Sequence, residues 1–379
     1  MSPVPAAAVP PARQGRPVRP ERQARPRLSA DLLANLTARL TSRDRWLLAM
    51  LWEHRVLTTF QIAQLAFGSV TTCAHRMHHL WWLRAVDRIQ PFTPTGSAPM
   101  HYVLGDAGAA VLATRLGITI AQLGYRRDQA MAIFHSAILA HTTGTNGVFT
   151  ALAARARVRP FCELAEWWPE TRCASVWGDL ARPDGYGRWR EHDTETDFFL
   201  EYDTGTETIR QVAAKLPGYA NLATATGITT PVLFWFPTRK RETSARAAFT
   251  GTPVPVATTI GEGGTQPAGP VWLPIASNGP RIRLASLGHQ HHGSTTEPSE
   301  QTPPQAAPGG AASRSTSPRP PVGQRRPPRH RRAAMVTRCC HSPGSSSPRR
   351  RPWQASSPPY TAPTVTTSPR PPTSPGWNH

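Results

Sequence analysis

The sequence predicts an α+β protein with two folded parts, and three observations carry that expectation. Helical periodicity with cap residues fills residues 41–83 and is followed by two short strand-like stretches around a Pro/Gly turn. Strand-like and helical stretches then alternate from residue 182 to residue 274. Prolines, 41 in a chain of 379 residues, crowd into the two ends, where regular structure cannot absorb them.

The first helix is signalled by Thr41-Ser42 as a cap, with Trp46, Leu47, Met50 and Leu51 turned inward at helical spacing. A second opens at Thr58 with Gln61 three residues on, a capping-box pattern, and buries Ile62, Leu65 and Ala66. Phe67-Gly68 makes a tight turn into a third helix, Ser69 to Leu83, which turns Val70, Cys73, Ala74, Met77, Leu80 and Trp81 inward. Thr71, Thr72, His75, Arg76 and His79 remain on its outer face. A strand from Val86 to Phe92, a turn from Pro94 to Pro99, a strand from Met100 to Leu104 and a helix from Asp106 to Leu116 follow. Three helices and a hairpin in this order make a winged helix-turn-helix over residues 28–116, and such a unit implies double-stranded DNA as partner. The outer face of the third helix is then the reader of base edges, and Arg84, Arg88 and His101 lie where phosphates pass. A helical bundle with a solvated polar face, or a winged helix used only for protein contact, is the competing expectation. His75, His78 and His79 lack a paired cysteine or carboxylate at ligand spacing, so no zinc site is expected there.

Charge is unevenly spread. Residues 1–27 carry six arginines and one glutamate, and residues 289–379 carry twelve arginines against Glu297 and Glu300. Of the net +20, +5 and +10 belong to these two ends, which leaves +5 for residues 28–288. Both ends read as disordered basic tails, suited to non-specific attraction to nucleic acid rather than to a specific site. Runs such as Arg325-Arg326-Pro327-Pro328 and Arg349-Arg350-Arg351-Pro352 are also what GC-rich DNA yields when translated out of frame, and the chain has two lysines against 41 arginines. The C-terminal segment is therefore either a DNA tether or a frameshift product, and neither carries catalysis. The five cysteines form no CxxC pair, no apolar run approaches membrane length, and the Pro/Arg-rich start has no apolar signal segment. A reduced cytoplasmic protein with no membrane partner is expected.

A second folded part follows a polar connector, residues 117–128, and extends over residues 129–288. A long helical stretch from Gln129 to Arg157 is interruptible at Thr142 to Gly147, and its His135 and His141 read as partly buried polar groups. Trp167-Trp168-Pro169 reads as an aromatic anchor at a loop. Arg182-Pro183-Asp184-Gly185 makes a turn, and the strand Asp197 to Asp203 turns Phe199, Glu201 and Asp203 to one face and Phe198, Leu200 and Tyr202 to the other. A helix capped near Thr206 sets Glu207, Gln211 and Lys215 on one stripe, and Pro217 should kink or end it before Tyr219. Strand Pro231 to Phe236, helix Arg239 to Phe249, strand Val254 to Thr259 and a short strand Val271 to Pro274 complete an α/β sheet.

Pro-Asp at a turn, an acidic strand about seventeen residues later and a nearby lysine together resemble the PD-(D/E)xK nuclease superfamily, which implies a restriction-endonuclease-like domain. The resemblance implies Asp184, Glu201 and Lys215 as catalytic residues and Asp184, Glu201 and Asp203 as ligands of Mg²⁺, which would polarise a phosphate and activate water. Asp203 stands where that pattern has lysine, so Lys215 supplies the cation from the helix. The alternative is a structural network in which Glu201, Asp203 and Glu207 pair with Arg182, Arg210 and Lys215. The winged helix, the Arg182 to Gly185 turn, the Phe198 to Glu207 segment and Lys215-Leu216 with Tyr219 together resemble the replication-relaxation family of actinobacterial plasmids and integrative elements, over residues 40–275. That resemblance implies a DNA-binding protein of a mobile element, acting in replication, DNA relaxation or their control, with replication proteins or a second copy as further partners. A Mg²⁺-dependent endonuclease and a transcriptional regulator with a partner-binding second domain are the alternatives.

Overall fold

The computed structural model describes residues 25–93, 96–262 and 264–288. The basic tail expected over 1–27, apart from residues 25–27, and that expected over 289–379 lie outside the described residues, as does Pro94 of the expected turn.

The N-terminal half opens with α1 (Ala30–Arg39), capped by Ser29, and α2 (Ser42–Glu53). Thr41 and Asp44 close a reciprocal capping box at the start of α2, which satisfies two orphan donors of its first turn. The short strand β1 (Leu57–Thr58) leads into α3 (Thr59–Ala66), where Thr58 and Gln61 form the capping box expected from their spacing. Ser69 caps α4 (Val70–Trp82), and β2 (Val86–Ile89) and β3 (His101–Leu104) form an antiparallel hairpin that β1 extends in the order β1-β3-β2. In α4, Cys73, Met77 and Leu80 are buried as expected, whereas Val70 and Ala74 face outward. The buried stripe is three residues wide because only i, i+4 and i+7 can meet a neighbour packed on one side.

α5 (Asp106–Arg115) closes this half. The connector is more ordered than its polar composition suggests, because α6 (Ile120–Leu123) forms within it on a Thr119–Gln122 capping box and α7 (Arg127–Ala132) begins before its end. The long helix expected from Gln129 is broken at residues 133–138 by a 3₁₀ turn, Ile133–His135, and Ser136. It runs unbroken through Thr142–Gly147 as α8 (Leu139–Val158). Gly144 is there for packing rather than for a break: a Cβ at this position would lie 2.2 Å from the Tyr202 ring.

A six-stranded sheet follows in the order β4-β5-β6-β7-β8-β9. β4 (Cys162–Pro169) takes Trp167-Trp168-Pro169 into a strand rather than a loop, and α9 (Glu170–Trp177) follows it. β5 (Gly185–Glu191) and β6 (Thr194–Tyr202) make an antiparallel hairpin, of which sequence periodicity revealed only the second strand. The Arg188, Arg190 and Glu191 charges of β5 disguise it. After β6 come α10 (Ile209–Ala213), capped by Thr208, and α11 (Leu216–Thr226), a new helix with Pro217 in its first turn, where a missing N–H costs nothing. β7 (Val232–Phe236) and β8 (Val256–Ile260), separated by α12 (Arg239–Ala248), run parallel to β6, and β9 (Leu273–Pro274) returns antiparallel before α13 (Leu284–Leu287). β7 is buried at all five positions, as a parallel strand covered on both faces must be.

The two faces of β6 divide as alternation requires. Phe198 and Leu200 join Phe149, Leu152 and Leu164 in a core that continues without a gap into α2, α3 and α4. Phe199 faces the other way, into a second core with Val212, Leu216, Tyr219, Phe234 and Phe249 from α10, α11, β7 and the end of α12. No single helix among the described residues is long and apolar enough to cross a membrane.

Candidate functional site

Asp184 ends the turn before β5, and pairing of Gly185 with Leu200 brings it beside Glu201 across the hairpin. Asp184 Oδ2 accepts from the Tyr202 N–H at 2.8 Å, and Oδ1 lies 3.2 Å from His141 Nε2 on α8. Glu201 is 2% exposed. Its Oε2 receives the Lys215 ammonium at 2.7 Å, and its Oε1 receives the Tyr219 hydroxyl. Lys215 also stands 3.7 Å from Glu207 Oε2. Glu201, Lys215 and Tyr219 border a cavity of about 240 Å³ whose wall also includes Arg182, Ala214 and Gly218. Gly218 is needed there because a Cβ would meet the Leu180 carbonyl oxygen at 2.5 Å, and that close approach seats the first turn of α11.

Three of the sequence-predicted residues, Asp184, Glu201 and Lys215, are thus brought together. Asp203 is not. It faces Arg241 of α12, which binds both of its oxygens, and it accepts from the Gly205 N–H at 3.0 Å. Arg182 and Arg210 are not the partners of these acids. Arg182 donates to the Gly178 carbonyl at 3.1 Å.

Burial pushes Glu201 up, to about 8, with the Asp184 charge adding to the shift and Lys215 and Tyr219 opposing it. Burial also raises the Tyr219 hydroxyl well above its ordinary range. Lys215 is pulled down by burial, but the Glu201 and Asp184 carboxylates outweigh this and leave it above its ordinary value. The hydrogen bond to Asp184 raises His141.

A magnesium ion requires ionised carboxylates with open lone pairs and keeps near-octahedral oxygen geometry. Here each oxygen of Glu201 and Asp184 is already engaged by a donor or a histidine, and burial favours the protonated form of Glu201. No group of three or more His, Cys, Asp or Glu among the described residues could hold a metal ion. The residues present do not fit magnesium.

The second candidate surface is the outer side of α4. Thr71, Thr72 and His75 are exposed beside the Ser69-capped N-terminus. Arg76 differs from expectation. Its guanidinium turns back onto Asp44, which is fully buried, with Nε 3.1 Å from Oδ1 and Nη2 donating to the Arg39 carbonyl at 3.0 Å. His79 is partly buried, and burial with the Arg76 charge lowers its pKa. Arg84 forks onto Asp106 rather than facing outward, and His101 is buried with Nδ1 3.0 Å from the Pro99 carbonyl. The placements of Arg76, Arg84 and His101 share a cause: a polar or charged group beside an apolar core takes a partner there, because an unpaired one would be too costly. Arg88 stacks over Trp81 at 4.2 Å, and Arg25 covers the same ring at 4.7 Å.

The family model described as replication-relaxation matches residues 48–237, half of the 379-residue chain. The chain belongs to the replication-relaxation family. Comparison with curated proteins and comparison with solved structures each return no match. The replication-relaxation match runs from within α2 to just past β7, so it includes the exposed face of α4 and all of Asp184, Glu201, Lys215 and Tyr219. Two members of the carboxylate cluster, Tyr219 and His141, are not assigned to it by the sequence reading. Tyr219 was legible through Leu216-Pro217, since proline in a first helical turn announces a new helix and sets Tyr219 one turn in. His141, 43 positions before Asp184 in the numbering, had no local signal.

Proposed function

We propose that this replication-relaxation protein binds double-stranded DNA through a winged helix-turn-helix and acts in replication or DNA relaxation of a plasmid or integrative element. The observation that carries this reading is the exposed N-terminal face of α4, Thr71, Thr72 and His75, on a helix whose other side is packed by Cys73, Met77 and Leu80. The order α2, β1, α3, α4, β2, β3 supports it, with the hairpin β2–β3 as the wing. Short polar side chains at the N-terminus of such a helix suit base edges, and the helix dipole favours nearby phosphates. Arg88, held flat on Trp81, is the phosphate contact of the wing. Selection of binding sequences from a random duplex pool, followed by quantitative binding of Thr72→Ala and His75→Ala, tests the reading. Loss of sequence preference supports it, and preference identical to wild type overturns it.

A second reading, a PD-(D/E)xK-type endonuclease, is favoured by one observation, the gathering of Asp184 and Glu201 at the β5–β6 hairpin with Lys215 at the start of α11; in this arrangement a magnesium ion would bind only by displacing the Lys215, Tyr219 and His141 contacts. Nicking of supercoiled plasmid with Mg²⁺ and not with EDTA, lost in Glu201→Ala, would support it. No nicking by the wild type would remove it.

A further inference from the structure

α8 belongs by sequence to the second folded part expected over residues 129–288, yet it lies along α3. Gln61 Nε2 donates to the Thr143 carbonyl at 2.7 Å, and Asn146 Nδ2 donates to the carbonyls of His54 and Val56 at 3.1 and 2.8 Å. One helical end further on, Arg157 Nη1 donates to the carbonyls of Gln64, Phe67 and Ala63 at 2.6, 3.2 and 3.3 Å. Those carbonyls are the C-terminal end of α3 and its cap. α3 has no basic residue in its last turn, and its C-cap Phe67 is extended rather than left-handed, so the helix supplies neither of the usual endings for its orphan carbonyls. The Ala63 carbonyl keeps the Phe67 N–H at 3.0 Å and Arg43 Nη1 donates to the Ala66 carbonyl at 3.5 Å, while Arg157 supplies a donor to the Gln64 and Phe67 carbonyls and places a positive charge at the negative end of the helix.

The position of this clamp matters because only Gly68 separates Phe67 from Ser69, the N-cap of α4. A Cβ at Gly68 would meet nothing within 4 Å, so packing at that residue does not fix the turn. The contacts that hold this turn are at Phe67: Arg157 on its carbonyl, Arg43 stacked on its ring at 4.2 Å, and the burial of that ring in the core.

We propose that Arg157 is a positioning residue for DNA recognition: from α8, outside the winged helix, it holds the turn between α3 and α4, and so aims Thr71, Thr72 and His75 at the duplex. The inference rests on the DNA-binding reading above. It makes the recognition unit dependent on α8, so that residues beyond the winged helix contribute to affinity without touching DNA.

The test uses the full chain and the duplex that the wild type enriches from a random pool. Arg157→Ala is expected to bind that duplex about tenfold more weakly, as befits carbonyls left without a donor. Arg157→Lys, which returns a donor and a charge, is expected to recover affinity to within about threefold. The slope of affinity against salt should match wild type in both variants, because no phosphate contact is lost, whereas an arginine on phosphate would lower it by about one. Without DNA, amide hydrogen exchange over residues 67–72 should rise in Arg157→Ala while exchange in β6 and β7 stays unchanged. Unchanged affinity in Arg157→Ala, or a salt slope lower by about one, overturns the inference. If the wild type enriches no duplex, the DNA-binding reading has failed and takes this role with it. If Thr72→Ala loses preference while Arg157→Ala binds with wild-type affinity, only the positioning role has failed.

Discussion

The Lys215 ammonium lies 2.7 Å from one oxygen of Glu201, and the Tyr219 hydroxyl donates to the other. Glu201 is thereby closed off on both sides, within the second core and away from solvent. Breaking a buried pair strands the more buried partner, so the two deletions should differ. Above about pH 8, where Glu201 is ionised, Lys215→Met is expected to lower stability by about 2–3 kcal/mol, and Glu201→Gln, which keeps a partner for Tyr219, by less than about 1 kcal/mol. Urea unfolding of both variants checks the order, and a larger loss in Glu201→Gln would contradict it.

The same carboxyl makes stability depend on pH. Its pKa rises from an ordinary 4.5 to about 8 on folding, so its contribution is fully present below about 4.5 and is lost as pH rises through about 8. His141, also raised by folding, acts in the same direction above its ordinary 6.5. Wild type should therefore lose stability relative to Glu201→Gln between pH 5 and pH 8, read as the difference in melting temperature across that range. Parallel melting curves for the two proteins would rule the assignment out.

His54 works in the opposite sense. It is buried and stacked on Trp167 with ring centroids 3.7 Å apart, its Nδ1 has no hydrogen-bond partner among the described residues, and burial depresses its pKa from 6.5 to about 3. A lowered histidine pKa gives stability that is present above 6.5 and lost as pH falls toward 3. His54→Phe, which keeps the stack, should resist acid between pH 6 and pH 4 better than wild type, as followed by near-ultraviolet circular dichroism. An acid transition unmoved by the substitution would show that another group drives it.

Arg76 and its exposed neighbours on α4 should differ in what they contribute to stability. Arg76→Ala leaves the fully buried Asp44 without its guanidinium and is expected to cost about 2–3 kcal/mol. Thr72→Ala and His75→Ala touch exposed positions and should move stability by no more than about 0.5 kcal/mol. Thermal unfolding of the three variants checks this, and an Arg76→Ala protein as stable as wild type would return Arg76 to the exposed face.

Gly144→Ala tests the packing of α8. In a free helix alanine is more stable than glycine by about 1 kcal/mol, but here the added Cβ would meet the Tyr202 ring at 2.2 Å. Overpacking should win and destabilise by about 1–3 kcal/mol. A stabilised variant would mean that α8 and β6 separate more easily than their contact suggests.

The extent to which each feature was legible follows the range of the interaction behind it. The capping boxes at Thr41 and Thr58 span three residues and could be read directly, as could the alternation that turns Phe199 and Glu201 away from Phe198 and Leu200. β5 could not, because the partners of Arg188 and Arg190, namely Asp197, Glu195 and Glu163, lie on neighbouring strands and make a charged strand tolerable. The break before α8 was misplaced because Gly144 reads as a helix breaker until Tyr202 is known to lie against it.

What the sequence by itself determined is the α+β character, the order of the helices and hairpin in the first half, the two faces of β6, and a charge surplus concentrated in the ends. These rest on periodicities of 3.6 and 2 residues, on caps and on composition, all of which act over a few positions of the chain. Only the tertiary structure decided which charges are free. It took Arg76 to Asp44, Arg84 to Asp106, Asp203 to Arg241 and Arg157 to the end of α3, across separations of 22 to 94 residues. The reason is energetic: a charged side chain is exposed by default, and it becomes a structural partner only where folding places an opposite charge or an orphan carbonyl within reach of its otherwise costly burial.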